Sequence, residues 1–82
     1  MMKEQTTDQS VLDHIKNLAD EEHRLYDQES LHEADAARLK RIEVELDQCW
    51  DFLRQRQARR AAGQDPDQAQ VRSASVVENY KQ

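Results

Sequence analysis

A stripe of apolar residues within residues 39–53 is the feature that most constrains the fold. Its members recur at gaps of three and four residues, which places them on one face of an α-helix. We call this face the seam; it consists of Leu39, Ile42, Leu46, Cys49 and Leu53. A face of this kind is stable only when it is buried against another helix. The sequence therefore predicts an all-α fold in which this segment has a helical partner.

An earlier part of the chain supplies such a partner. Thr7 or Ser10 can cap the start of a helix, because a side-chain hydroxyl oxygen there accepts a hydrogen bond from the first free backbone amides. A second apolar stripe at helical spacing follows: Val11, Ile15, Leu18 and Leu25. We expect helix one to cover about residues 8–27.

Two interpretations connect these segments. Ser30 is followed three residues later by Glu33, which is the capping-box pattern that starts a helix, so helix two would cover about residues 31–62. The alternative is one unbroken helix over residues 8–62. That helix would leave polar residues such as His32 in the apolar stripe without a partner. The pattern favours an antiparallel two-helix hairpin.

The hairpin predicts which apolar residues meet. At 1.5 Å per residue, helix one would be ~30 Å long and helix two ~48 Å, so their lengths differ. Helix one would reach along helix two only as far as about Leu53. The C-terminal part of helix two would then project beyond helix one. The predicted register pairs Leu18 with Ile42, Ile15 with Leu46, and Val11 with Cys49 and Trp50.

The rest of the chain, residues 63–82, is predicted to be a partly ordered tail. Gly63 can close helix two in the left-handed conformation, and Pro66 prevents the helix from continuing. Asp65 can cap a short further turn. We expect the tail to dock on the overhang of its own or a neighbouring chain through its apolar residues, Val76, Val77 and Tyr80.

The size of the chain favours self-association. With 82 residues it is long enough for a single domain, and small domains bury too little surface to be comfortably stable alone. Trp50 and Phe52 flank the seam and widen it. A second hairpin docked on these two side chains would give a homodimer or a larger helical bundle.

The end of helix two carries a basic cluster: Arg54, Arg56, Arg59 and Arg60. Arginines on an overhanging helix end can contact a phosphate or a nucleic acid. Alternatively, they offset the helix dipole and pair with carboxylates such as Asp65 or Asp67. The net charge of −5 disfavours nucleic acid. Residues 1–30 hold three cations against eight carboxylates, so this acidic half is expected to meet the basic end, within one protomer or between two.

Polar residues near the predicted turn allow two further interpretations. Glu22 lies in the stripe of helix one and would face Arg38 of helix two, which predicts a buried ion pair, because a single buried charge is costly. The alternative is a metal site formed by Glu22 with His32 and Asp35, since helix bundles hold metals between facing helices.

Catalysis and membrane insertion are not expected. Cys49 lies in an apolar setting that keeps a thiol protonated, and one glycine cannot build a phosphate-binding loop. We therefore predict no catalytic residue and no cofactor. The N-terminus lacks the apolar core of a signal peptide, and no apolar run approaches the ~20 residues that span a bilayer. A cytoplasmic location is the simplest expectation.

Several segments together resemble a family of short, uncharacterised actinobacterial proteins that is classed as a domain of unknown function. They are residues 20–25, 45–56, 63–67, 71–72 and 76–80. The chain departs from that pattern at Ser73, where relatives tend to have proline, and at Asn79, where they tend to have glycine. The resemblance implies a small helical bacterial protein, and it brings no catalytic residue, cofactor or partner with it.

Three functions remain open on the sequence alone. The favoured one is a homo-oligomeric interaction or structural module without catalysis, whose further protein partner is unknown. The second is an anion-binding or nucleic-acid-binding accessory protein that uses the basic cluster. The third is a metal-binding helical bundle.

Overall fold

A computed structural model describes residues 6–28 and 30–79, and within these ranges the fold is all-helical. The predicted α-helical class is confirmed, with two main helices. The expectation for Tyr80 lies outside the described residues. The elements in chain order are α1 (Asp8–Tyr26), α2 (Glu33–Ala61), a short 3-10 helix (Pro66–Gln68) and α3 (Ala74–Asn79).

Helix α1 begins with a reciprocal cap. The backbone amide of Ser10 donates to the Thr7 hydroxyl at 3.0 Å, and the backbone amide of Thr7 donates to the Ser10 hydroxyl at 2.9 Å. Of the two predicted caps, Thr7 therefore occupies the cap position. Both exchanges satisfy amides that the first helical turn leaves without a partner. The buried face of α1 is the predicted one: Val11, Ile15, Leu18 and Leu25.

The predicted start of the second helix is wrong. His32 is the N-cap residue, and its side chain makes no capping hydrogen bond. Ser30 lies outside the helix, because the first helical residue is Glu33 and a capping serine must directly precede the helix. Helical structure is nevertheless interrupted between Tyr26 and Glu33, so the two main helices are separate rather than one continuous helix.

Helices α1 and α2 pack along each other through two apolar clusters. One contains Leu18, Leu25, Leu39 and Ile42, and the other contains Val11, Ile15 and Leu53. Leu46 and Cys49 pack against both clusters, and Ile42 is fully buried. Residues late in α1 therefore share a cluster with residues early in α2, and the reverse holds at the other end. The predicted pairs fall in common clusters except for Val11 with Trp50, because Trp50 belongs to neither cluster and is exposed.

The end of α2 follows the expected glycine closure. Gly63 has φ +75°, and its amide donates to the Arg60 carbonyl at 3.1 Å. The next amide, of Gln64, donates to the Arg59 carbonyl at 2.7 Å. This pair of bonds satisfies two of the carbonyls that a helix end leaves free. The chain then turns into the 3-10 helix, where the Asp65 side chain accepts from the Asp67 amide at 2.9 Å.

The described part of the tail docks on α2 of its own chain. Both the 3-10 helix and α3 pack against α2, and Ala69 and Val77 are buried. Helix α2 is thus the element that contacts α1 on one side and the tail on another. The expectation that the tail is partly ordered agrees with this arrangement over residues 63–79.

Replacing Gly63 with alanine should lower the free energy of unfolding by about 1 kcal/mol, because a residue with a β-carbon pays this cost in the left-handed region. No atom lies within 4 Å of the added β-carbon, so the loss reports backbone strain alone. Urea unfolding measures it. Gly63→Asn is the matched control and should lose less, since asparagine tolerates this conformation better. Equal losses would contradict the explanation.

Candidate functional site

Arg56 forms the centre of a polar cluster at the end of α2. Its residue surface is only 4% exposed. The Nε atom donates to Asp8 Oδ1 at 2.9 Å, and Nη1 donates to Asp67 Oδ1 at 3.1 Å and to the Pro66 carbonyl at 3.3 Å. One guanidinium thereby joins the start of α1, α2 and the 3-10 helix. Of the two interpretations of Arg56 from the sequence, pairing with a carboxylate such as Asp67 is the one observed, and a free anion contact is not.

Arg60 completes this cluster. Its Nη1 and Nη2 atoms donate to the two carboxylate oxygens of Asp8 at 2.8 and 3.0 Å. The Arg60 and Arg56 hydrogen bonds hold the pKa of the Asp8 carboxyl at about 2, below its ordinary value of 3.8. We call Asp8, Arg56, Arg60 and Asp67 the arginine clasp.

The clasp corrects the predicted overhang. Asp8 is the first residue of α1, yet it pairs with Arg60, close to the end of α2. The predicted helix lengths describe the backbone alone, whereas a long arginine side chain can fold back along its helix toward a carboxylate. The expected meeting of the acidic first half with the basic end therefore occurs here within one protomer.

The remaining two arginines of the basic cluster have different surroundings. Arg54 is exposed and lines a shallow pocket beside Gln55 and Arg72. Arg59 is half-buried and donates to the Gln64 side chain at 3.5 Å. The four arginines therefore do not form one continuous cationic surface, because two of them are bound to Asp8.

The predicted ion pair between Glu22 and Arg38 is wrong in both partner and burial. Arg38 instead donates to the neighbouring Glu21 through Nε at 2.7 Å and Nη2 at 2.8 Å. The two side chains are 39% and 33% exposed. The Arg38 hydrogen bonds hold the pKa of the Glu21 carboxyl below its usual range. Both glutamates flank the apolar stripe of α1, and only the packing of α1 on α2 decides which one reaches Arg38.

The metal interpretation finds no set of donors in the described part of the chain. Among residues 6–28 and 30–79, no three side chains of histidine, cysteine, aspartate or glutamate are arranged to hold a metal ion. His32 is exposed and Asp35 half-buried. Glu22 lines a groove together with Lys40 and Glu43 of α2.

A polar stripe on α2 holds the extended part of the tail. Gln48 donates to the Arg72 carbonyl at 3.1 Å, and Gln55 donates to the Gln70 carbonyl at 2.8 Å. Between them, the buried Asp51 accepts from Gln55 at 2.9 Å and pairs with Arg72 Nε at 3.4 Å. The side chains satisfy the backbone of a segment that has no helical hydrogen bonds of its own.

Sequence reasoning missed this polar stripe. Its signal is the spacing of three and four residues between Gln48, Asp51 and Gln55, which places them on one helix face. Their residue types are those of a solvated surface, so nothing in the sequence marks Asp51 as buried.

Two further grooves lie along α2 of the described chain. The first has a volume of about 510 Å³ and contains Trp50, whose residue surface is 42% exposed. Four carboxylates line it: Glu22, Glu43, Asp47 and Glu78. Tyr26 donates to the Glu43 carboxylate at 3.0 Å.

The second groove is apolar and has a volume of about 330 Å³. Phe52 and the half-buried Cys49 line it, and His14 lies 3.0 Å from Glu45 at its rim. Burial raises the pKa of the Cys49 thiol, and the nearby Glu45 carboxylate adds to the effect. The thiol is therefore held in its less reactive protonated form.

These features define a small all-helical protein with an internal arginine clasp and two open grooves. No helix of the described residues has both the length and the apolar character needed to cross a membrane.

The chain belongs to the family described as "Protein of unknown function (DUF2630)", whose family model matches residues 7–82. Uncharacterised proteins from Mycobacterium bovis and Mycobacterium tuberculosis are each 49% identical to it over 78 residues, which cover 90% of this chain and 90% of each relative. No solved structure gives a significant match to the chain. The resemblance to uncharacterised actinobacterial proteins is therefore confirmed.

Acid should weaken the clasp through Asp8. Because its pKa is lowered to about 2 in the folded state, the stabilisation is complete above the ordinary value of 3.8 and is lost as the pH falls toward 2. Asp8→Asn should cost about 2 kcal/mol near neutral pH. The difference in unfolding free energy between the two proteins, measured by urea unfolding, should shrink below about pH 4. A difference independent of pH would contradict this assignment.

Arg56→Lys should lower the free energy of unfolding by about 2 kcal/mol, because one ammonium cannot reproduce the fixed fork of donors between two carboxylates. Arg59→Lys is the matched control on the same helix. The Arg59 side chain makes a long hydrogen bond to Gln64 and no ion pair among the described residues, so the loss for Arg59→Lys should stay within about 0.5 kcal/mol. Urea unfolding measures both losses. Similar losses for the two variants would contradict a particular contribution of the clasp to the free energy of unfolding.

Proposed function

We propose that this protein is a homo-oligomeric interaction module without catalysis, in which an antiparallel hairpin and its docked tail present one face of α2 to a second copy. The observation that carries the proposal is Trp50. This large aromatic side chain lies on the central helix and remains 42% exposed. Covering such a tryptophan with a partner is favourable, because a large aromatic surface is then removed from water.

The size and surface of the chain support the same function. Among the described residues, six large apolar side chains lie outside the core and are exposed: Leu12, Tyr26, Leu31, Trp50, Val71 and Val76. Association with a second copy would remove part of this apolar surface from water, which matters more in a chain of 82 residues than in a large domain. Assembly would add to the apolar burial that one hairpin achieves alone.

The anion-binding alternative has less support. Arg56 and Arg60 are paired with carboxylates inside the clasp, and binding a phosphate there would require breaking those pairs. Retention on a polyanion resin that Arg54→Ala abolishes would revive this alternative.

We propose a cytoplasmic location for the same module. Cys49, the one cysteine of the sequence, lies in the interface between α1 and α2, where it acts as a small apolar residue and needs no oxidising compartment.

Sedimentation equilibrium across a dilution series tests the main proposal. We expect a reversible dimer or larger assembly at micromolar concentration, because burial of exposed apolar surface favours association. The apparent mass should fall on dilution. A chain that sediments as a monomer at every concentration would contradict homo-oligomerisation.

A further inference from the structure

We propose that the second copy docks on a single stripe of α2, around a two-fold axis that passes beside Trp50. We call this face the Trp50 stripe; it consists of Glu43, Asp47, Trp50 and Arg54. The inference rests on the proposed homo-oligomeric function and specifies which surface serves it. In this arrangement, the acidic end of the stripe in each copy lies against the basic end in the other.

The residues of the Trp50 stripe share one face of α2, because they are separated by four, three and four positions. Two other faces of α2 are occupied. The seam packs against α1, and the polar stripe around Asp51 holds the tail. The Trp50 stripe lies between these two contacts, where the 510 Å³ groove opens. It is therefore a face of α2 that a further helix can reach.

Charge along the stripe changes sign at Trp50. Glu43 and Asp47 precede Trp50, and Glu22 of α1 and Glu78 of α3 add two more carboxylates to the same groove. Lys40 is the one cation among the described residues that line the groove. Beyond Trp50, the exposed Arg54 gives the stripe a basic end. A surface with this gradient is complementary to a reversed copy of itself.

A two-fold axis produces two equivalent contacts between an acidic end and a basic end. Asp47 lies three residues before Trp50 and Arg54 lies four residues after it, so an antiparallel copy of α2 centred on Trp50 brings each acidic end to a basic end. A parallel copy would place like charges together. Asp47 also interacts within its own chain, so the argument rests on the sign of charge at each end, not on a free carboxylate.

The geometry excludes Phe52 from this interface. Phe52 follows Trp50 by two residues, which is about 200° around a helix of 3.6 residues per turn. It packs against the cluster of Val11, Ile15 and Leu53 and lines the opposite, apolar groove. The two aromatic residues that flank the seam therefore have different roles. Trp50 faces the second copy, and Phe52 supports the packing of α1 on α2.

Two charge reversals test the arrangement. Arg54→Glu gives acidic residues at both positions 47 and 54, and Asp47→Lys gives basic residues at both. Each variant alone should associate at least about tenfold more weakly than the natural chain, because like charges then meet at both junctions. An equimolar mixture should form a heterodimer, since every junction again joins opposite charges. Sedimentation velocity with a fluorophore on one variant measures each affinity.

Restoration by mixing separates an intermolecular effect from a folding defect. A contact that Asp47→Lys breaks inside its own chain cannot be repaired by a second copy, and circular dichroism checks that each variant keeps its helices. If Asp47→Lys does not fold, Glu43→Lys provides the second basic reversal. Arg41→Glu is the matched control: it makes the same charge change on exposed α2 surface ~2.5 turns from Trp50. It should leave the affinity unchanged.

The outcomes distinguish the inference from the function on which it rests. A natural chain that stays monomeric contradicts both. A natural chain that associates, together with folded reversals that keep its affinity or fail to restore each other on mixing, contradicts the Trp50 stripe alone. The expected result is that each charge-reversal variant associates weakly alone, that their mixture forms a heterodimer, and that Arg41→Glu associates as the natural chain does.

Discussion

The contact on which this small fold most depends is the guanidinium of Arg56 between Asp8 and Asp67. Apolar packing joins α1 to α2, but the 3-10 helix offers no buried residue of its own to hold it. A buried cation must be matched by carboxylates and carbonyls. Here those groups come from α1 and from the 3-10 helix, so satisfying one charge fixes three elements together.

Helix α2 organises the molecule because its faces carry different chemistry. The apolar seam receives α1, while Gln48, Asp51 and Gln55 hydrogen-bond the extended tail. These two contacts leave two grooves of unlike character, one apolar and one lined by carboxylates around Trp50. An unoccupied face that combines an exposed aromatic residue with a change of charge is where a partner helix gains most from docking.

Membership of a family of unknown function brings no activity with it, so function has to be argued from surfaces. The described residues offer no metal donor set, and the Cys49 thiol is held protonated by its surroundings. Interaction between copies is the function that the exposed surface of α2 supports best. In that role, the clasp and the polar stripe are structural, because they fix α1 and the tail in place on α2.

The sequence by itself determined the helices, their apolar faces and the closure at Gly63, because helical periodicity and left-handed glycine geometry are local properties of the chain. Only the tertiary structure decided the polar partners. It exchanged Glu22 for Glu21 beside Arg38, buried Arg56, and placed Asp51 under the tail. Charged side chains are long and reach several neighbours, so their pairing depends on how whole helices approach each other, which no spacing along one helix specifies.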